Sequence, residues 1–160
     1  PPPPPALAAL TMPTVNSYRR VQAATTTSGA TWAPNAVVYG ANNRTTMLRI
    51  PGTGRFENRG VDSSCNPYLA LAAIVTAGLD GVRRGLDPGA PIDGPASGIG
   101  VPLLPRTLAD ALDALEMDTV LRDGLGEEAM CEFVAVKRHE WASYMSAVSA
   151  WEVETYLTRT

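Results

Sequence analysis

The chain has 160 residues, a formal net charge of −3 and 45% hydrophobic residues. That is enough for one domain burying roughly two-thirds of its unfolded surface. So small a charge, with no polybasic run, argues against a nucleic-acid footprint and against a membrane-surface patch.

Cys65 and Cys131 stand far apart and outside any Cys-x-x-Cys pair. Reduced thiols in a cytoplasmic protein are expected, rather than a zinc site or a disulfide framework. The opening PPPPPALAALTMP has no cationic n-region and too short an apolar run for a secretory signal, and no stretch has the length to span a bilayer. Its five prolines predict a polyproline II arm over 1–12 with little independent structure, ahead of a domain over 13–160. The missing initiator Met adds the expectation that the chain begins partway through something larger.

Residues 21–34, VQAATTTSGATWAP, read as an exposed loop. Residues 36–39 and 45–50 read as short strands around an Asn42-Asn43 turn. A second turn, Pro51-Gly52-Thr53-Gly54, leads to a strand over RFENR, residues 55–59. Connections this short predict antiparallel pairing throughout. In an extended RFENR, Arg55, Glu57 and Arg59 share one face.

Asn66-Pro67 is a helix start. The following YLALAAIVTAGLDGVRRG is apolar nearly all round, which predicts a buried helix ending at Gly85. Residues 86–105 are rich in Pro and Gly and form a long connection, either functional or pinned to a neighbour. Thr107 caps LADALDALEMD with Asp110 in a capping box. Gly124 and Gly126 break the pattern before a longer helix whose apolar face carries Met130, Phe133, Val134, Trp141 and Tyr144. WEVETYL supplies a last short helix. The sum is an α+β chain, a small antiparallel sheet followed by a helical half.

His139, the only histidine, sits in KRHEW with no second ligand at metal spacing and reads as a solvated helix residue. PGTG lacks the Gly-Lys-Ser/Thr ending of a P-loop and reads as a plain turn. Ser28-Gly29 has no histidine within sequence reach to make it a nucleophile. Arginine remains. Arg19, Arg20, Arg44, Arg49, Arg55 and Arg59 crowd the N-terminal third, and forked guanidiniums in such number suit an anionic, phosphorylated ligand. Glu57 among them reads as a counter-ion or a Mg²⁺ ligand.

PTVNSYRR (13–20), NNRTTMLRIP (42–51), RFENR (55–59), NPYLALAAIVTAGLDG (66–81) and VKRHEWASYMSAVSAWEVETYL (136–157) together resemble the C-terminal part of glutamine synthetase. SGATWAPN is most similar to the branch of type III-like synthetases and glutamate–methylamine ligases. The resemblance implies that 13–160 is a partial catalytic domain of an enzyme joining ammonia, or a small amine, to the γ-carboxylate of glutamate through γ-glutamyl phosphate. It implies ATP as co-substrate, Mg²⁺ or Mn²⁺, and a homo-oligomer. It places Glu57 on a metal, Arg20 and Arg59 on glutamate, and Arg44, Arg49 and Arg55 on nucleotide phosphates, with Arg44 also catalytic.

Three departures from the family pattern stand out. Motifs carrying the other metal-binding glutamates and a metal-binding histidine are absent from these residues. The flap reads GATWAP without a carboxylate, leaving the aromatic face of Trp32 as the expected partner for an amine cation. Asn58 and Gly60 stand where apolar strand residues are usual. A non-catalytic remnant binding nucleotide or partner subunits is the alternative reading.

Overall fold

The computed structural model describes residues 4–22, 33–94, 96 and 100–157. Its first element corrects the expectation of a polyproline arm: Pro4–Thr11 form a helix, α1, and its residues Ala6 to Leu10 are almost wholly buried. Proline is tolerated in a first helical turn, where no intrahelical donor is needed, and Ala and Leu are the strongest helix formers. Pro13 then stops the helix. Its end is tied down by the Asp62 N–H, which donates to the Thr11 carbonyl at 2.8 Å. A short helix α2 (Ser17–Gln22) follows.

Three strands, β1 (Ala36–Ala41), β2 (Thr46–Gly52) and β3 (Arg55–Asn58), form one sheet in that order. β2 and β3 pair antiparallel across the Thr53-Gly54 turn, as the sequence predicts, with Gly54 at φ +78°. β1 and β2 do not. They run parallel, with Ala36 beside Thr46 and Ala41 beside Ile50. The return 42–45 is a bend and a turn, with Asn42 at φ +53° and the Thr45 N–H donating to Asn43 Oδ1 at 2.9 Å.

Long-range bonds hold the return in place. Asn43 Nδ2 donates to the carbonyls of Ile92 (2.9 Å) and Gly94 (2.8 Å), and the Ala96 N–H donates to Thr45 Oγ1. The described part of the 86–105 connection is thus pinned along β1 and the return after it. Ile92 N–H donates to the Tyr39 carbonyl, and Val37 N–H to the Pro102 carbonyl, both at 2.8 Å. It covers an edge that would otherwise be open.

The helical half comprises α3 (Pro67–Arg83), α4 (Leu108–Glu116), α5 (Thr119–Leu125), α6 (Glu127–Ser146) and α7 (Ala150–Glu152), which continues into a π-helical turn, Val153–Leu157. Asn66 caps α3, and Thr107 with Asp110 forms the expected capping box of α4. Leu7, Leu10, Met12, Leu108, Leu112, Leu115, Leu121 and Met130 make one core, with α1 against α4 and α3 against α5. Burial raises the Tyr18 phenol far above its usual range, reinforced by the charge of Asp110.

The expectation of a fully buried α3 needs correction. Only Ala70 and Ala73 are buried, while Tyr68, Leu71, Val75, Leu79 and Val82 stand exposed. Its small residues let α5 approach closely on one side, and among the described residues the stripe opposite has no cover. Closeness at that crossing sets a test of packing. A Cβ on Gly124 would lie 2.4 Å from Thr76 Cγ2. Gly124→Ala is expected to cost about 1–3 kcal/mol in overpacking, more than the roughly 0.5–1 kcal/mol that alanine gains in a helix. Denaturant unfolding measures it, and adding Thr76→Ala should recover most of the loss.

Candidate functional site

The register of β2 and β3 sets Arg49 directly opposite Glu57, where side chains of opposite charge meet. Arg49 Nη1 donates to Glu57 Oε2 at 2.8 Å, and Arg59 Nη1 to Glu57 Oε1 at 2.6 Å. One carboxylate is thus gripped by two guanidiniums. The bond from Arg49, working against desolvation, and the bond and charge of Arg59 hold Glu57 below the usual carboxylate range. It stays ionised at neutral pH.

The surroundings orient both arginines. Arg59 lies just past the end of β3. Its backbone N–H donates to the Met47 carbonyl at 2.8 Å, and its Nε to the Arg44 carbonyl at 3.0 Å. Arg49 Nε donates to Asn42 Oδ1 at 3.1 Å, and its Nη2 donates to the same oxygen. Asn42, Asn43, Arg44, Thr45, Arg49 and Asp93 line an open cavity of about 460 Å³ beside this cluster.

Arg20, on α2, donates to the Val61 carbonyl at 3.2 Å, bracing the chain just beyond Arg59. Asp62 continues that brace. Burial opposes its ionisation, but bonds from Ser64 and Ser17 and the charge of Arg20 prevail and lower its pKa.

The structure therefore brings Arg49, Glu57 and Arg59 into contact, with Arg44 at the adjoining cavity and Arg20 behind the segment that follows Arg59. Arg55 stands exposed at the head of β3 and, among the described residues, joins no ion pair. Its place on the same strand face as Glu57 does not by itself carry a long side chain into the cluster. Trp32 and most of GATWAP lie outside the described residues, as does Ser28. His139 is exposed on α6. Asn58 Oδ1 accepts from the Gly60 N–H at 2.9 Å, while its Nδ2 is buried with no hydrogen-bond partner among the described residues. Asn42, passed over as a turn residue in the sequence, is the addition. Its signal was an Asn ahead of Asn-Arg, a residue type that tolerates positive φ.

A divalent metal does not fit the residues present on their own. Among the described residues no group of three or more His, Cys, Asp or Glu converges, and both Glu57 oxygens already accept guanidinium bonds. A hard cation such as Mg²⁺ asks for about six oxygens in near-octahedral array. Among the described residues no helix is long and apolar enough to cross a membrane.

Arginines flank one anionic carboxylate on a small mixed sheet beside a polar cavity. Comparison with known proteins then names the family. Residues 4–156, α1 included, match the family described as glutamine synthetase, catalytic domain, and the chain belongs to it. It is 50% identical over 161 residues to the glutamate–methylamine ligase of Methyloversatilis universalis, covering 96% of this chain and 36% of that protein. It is 49% identical over 158 residues to a glutamine synthetase of Rhizobium leguminosarum bv. phaseoli, with the same two coverages. A solved GmaS/ADP complex superposes with a TM-score of 0.88 at 49% identity, over 95% of this chain and 36% of that one. The chain thus spans little more than a third of the length of these relatives.

Proposed function

We propose that these residues are the C-terminal part of an ATP-dependent carbon–nitrogen ligase, which joins ammonia or a small amine to the γ-carboxylate of glutamate through γ-glutamyl phosphate. The observation that carries this reading is Glu57 held between Arg49 and Arg59 on adjoining strands, in a chain of this family. Arg59 and Arg20 take the glutamate side. Arg44, Arg49 and Arg55 take the nucleotide phosphates, with Arg44 nearest the chemistry. Guanidiniums suit this work because a transferring phosphoryl group spreads negative charge over its oxygens, and fixed cations neutralise it without moving protons. With further ligands from outside these 160 residues, Glu57 would supply one carboxylate toward Mg²⁺ or Mn²⁺, which would help neutralise the phosphate charge. The assembled enzyme is a cytoplasmic homo-oligomer.

The test is a chimaera in which this chain replaces the corresponding third of the Methyloversatilis ligase. Glutamate- and amine-dependent phosphate release from ATP is the expected result. In that background Arg59→Ala removes a charged contact worth about 1.5–3 kcal/mol, so kcat/KM for glutamate should fall on the order of 10- to 100-fold. A chimaera that binds ATP but never turns over supports a non-catalytic remnant instead.

The identity to a glutamate–methylamine ligase favours a second reading, that the amine is an alkylamine. With no carboxylate in GATWAP, an ammonium ion lacks a partner to attract and deprotonate it, whereas an aromatic face offers a cation about 0.5–2 kcal/mol. Steady-state kinetics of the chimaera are expected to show weak discrimination between ammonium and methylamine. A strong preference for ammonium sinks this second reading and leaves the first intact.

A further inference from the structure

We propose that Asn42 is a positioning residue that aims the Arg49 guanidinium at a phosphate group, an inference resting on the reading above in which Arg49 faces nucleotide. An arginine has five N–H donors in a rigid planar fork. Asn42 Oδ1 takes the edge formed by Nε and Nη2, and Glu57 takes one hydrogen of Nη1. Two N–H groups remain, one on each terminal nitrogen. These are the donors Arg49 has left for the oxygens of a phosphate.

The backbone explains why an asparagine stands here. Asn42 has φ +53°, the only positive value outside glycine among the described residues. Asn accepts that region more readily than other side chains. Its own N–H is held by the Ile50 carbonyl at 3.0 Å. The left-handed turn and this tether fix where Oδ1 points. Asn42 and Arg49 also both line the 460 Å³ cavity, so the aimed fork borders open space.

Charge explains why it is not an aspartate. Glu57 already cancels part of the positive charge of the two arginines it bridges. A second carboxylate on Arg49 would hold the fork equally well but repel an incoming phosphate. A neutral acceptor orients the cation without spending its charge.

The experiment follows the Arg49 Nε–H signal by ¹⁵N NMR in the 160-residue chain, assigned by its disappearance in Arg49→Lys, with ATP as the probe. Asn42→Gly keeps the positive φ and removes only the acceptor. Its Arg49 Nε–H should exchange with water at least about tenfold faster, and ATP should bind roughly five- to tenfold more weakly, as pre-organisation is lost. Asn42→Asp should keep the slow exchange yet weaken ATP binding. Equal exchange in wild type and Asn42→Gly overturns the proposal. So does fast exchange in Asn42→Asp, which keeps the acceptor and serves if the glycine variant fails to fold. If Nε–H is protected as expected but ATP leaves its shift unmoved, the positioning stands and the assignment of Arg49 to nucleotide fails.

Discussion

The purified 160-residue chain, given ATP, glutamate and either ammonium or methylamine, is expected to release phosphate only at background. Phosphoryl transfer depends almost wholly on positioning and on charge stabilisation. Removing a single preorganised donor from such a site typically costs a factor of about 10²–10³. Here a whole set is missing. Glu57 is one carboxylate, both of its oxygens engaged by Arg49 and Arg59, and among the described residues no other acid or histidine joins it as a metal cage. A cation that gives up its water reluctantly is not retained by one such ligand. Turnover above background that disappears in Glu57→Ala would show that these 160 residues are catalytically sufficient.

What could be read from the sequence followed the range of the interactions. The caps at Asn66 and Thr107 and the β2–β3 hairpin depend on neighbours within a few residues, and each forms as read. The parallel β1–β2 pair was hidden because its determinants are distant. Asn43 and Thr45 hold the return by bonding residues some fifty positions further on. α3 was half legible. Its apolar composition foretold burial, and Ala70 and Ala73, with Leu69, Ile74 and Ala77 beside them, do meet the core, while Tyr68, Leu71, Val75, Leu79 and Val82 stay exposed.

The site shows the same division. Alternate spacing in RFENR foretold that Glu57 and Arg59 share a face, and they touch. The Arg49–Glu57 pair comes instead from strand register, which no single segment encodes. Arg55 shares the spacing without joining the cluster. Asn42 acts through its backbone angle and one oxygen, neither of which a motif records.

Deleting residues 1–12 is expected to cost the chain most of its stability, because the opening segment belongs to the core. Leu7, Leu10 and Met12 are buried in one cluster with Leu108, Leu112 and Leu115. The Tyr18 hydroxyl donates to the Ala8 carbonyl, and the Asp62 N–H to that of Thr11. Without α1, the face of α4 that packs on it meets water. Exposing two or three leucines costs roughly 1.5–3 kcal/mol each, against a total of about 5–15 kcal/mol for a typical domain. The orphaned Tyr18 hydroxyl and Asp62 amide add to the loss wherever water cannot reach them. Circular-dichroism melts of chains 1–160 and 13–160 provide the measurement. The shorter chain should lose its cooperative transition, or melt about 10 °C or more lower, since each kcal/mol moves the midpoint of a domain this size by some 2–4 °C. Leu10→Ala in the whole chain, a deletion worth about 2–5 kcal/mol in a packed core, should move in the same direction by less. Coincident melts of the two chains would make the segment the detachable arm that its prolines suggest.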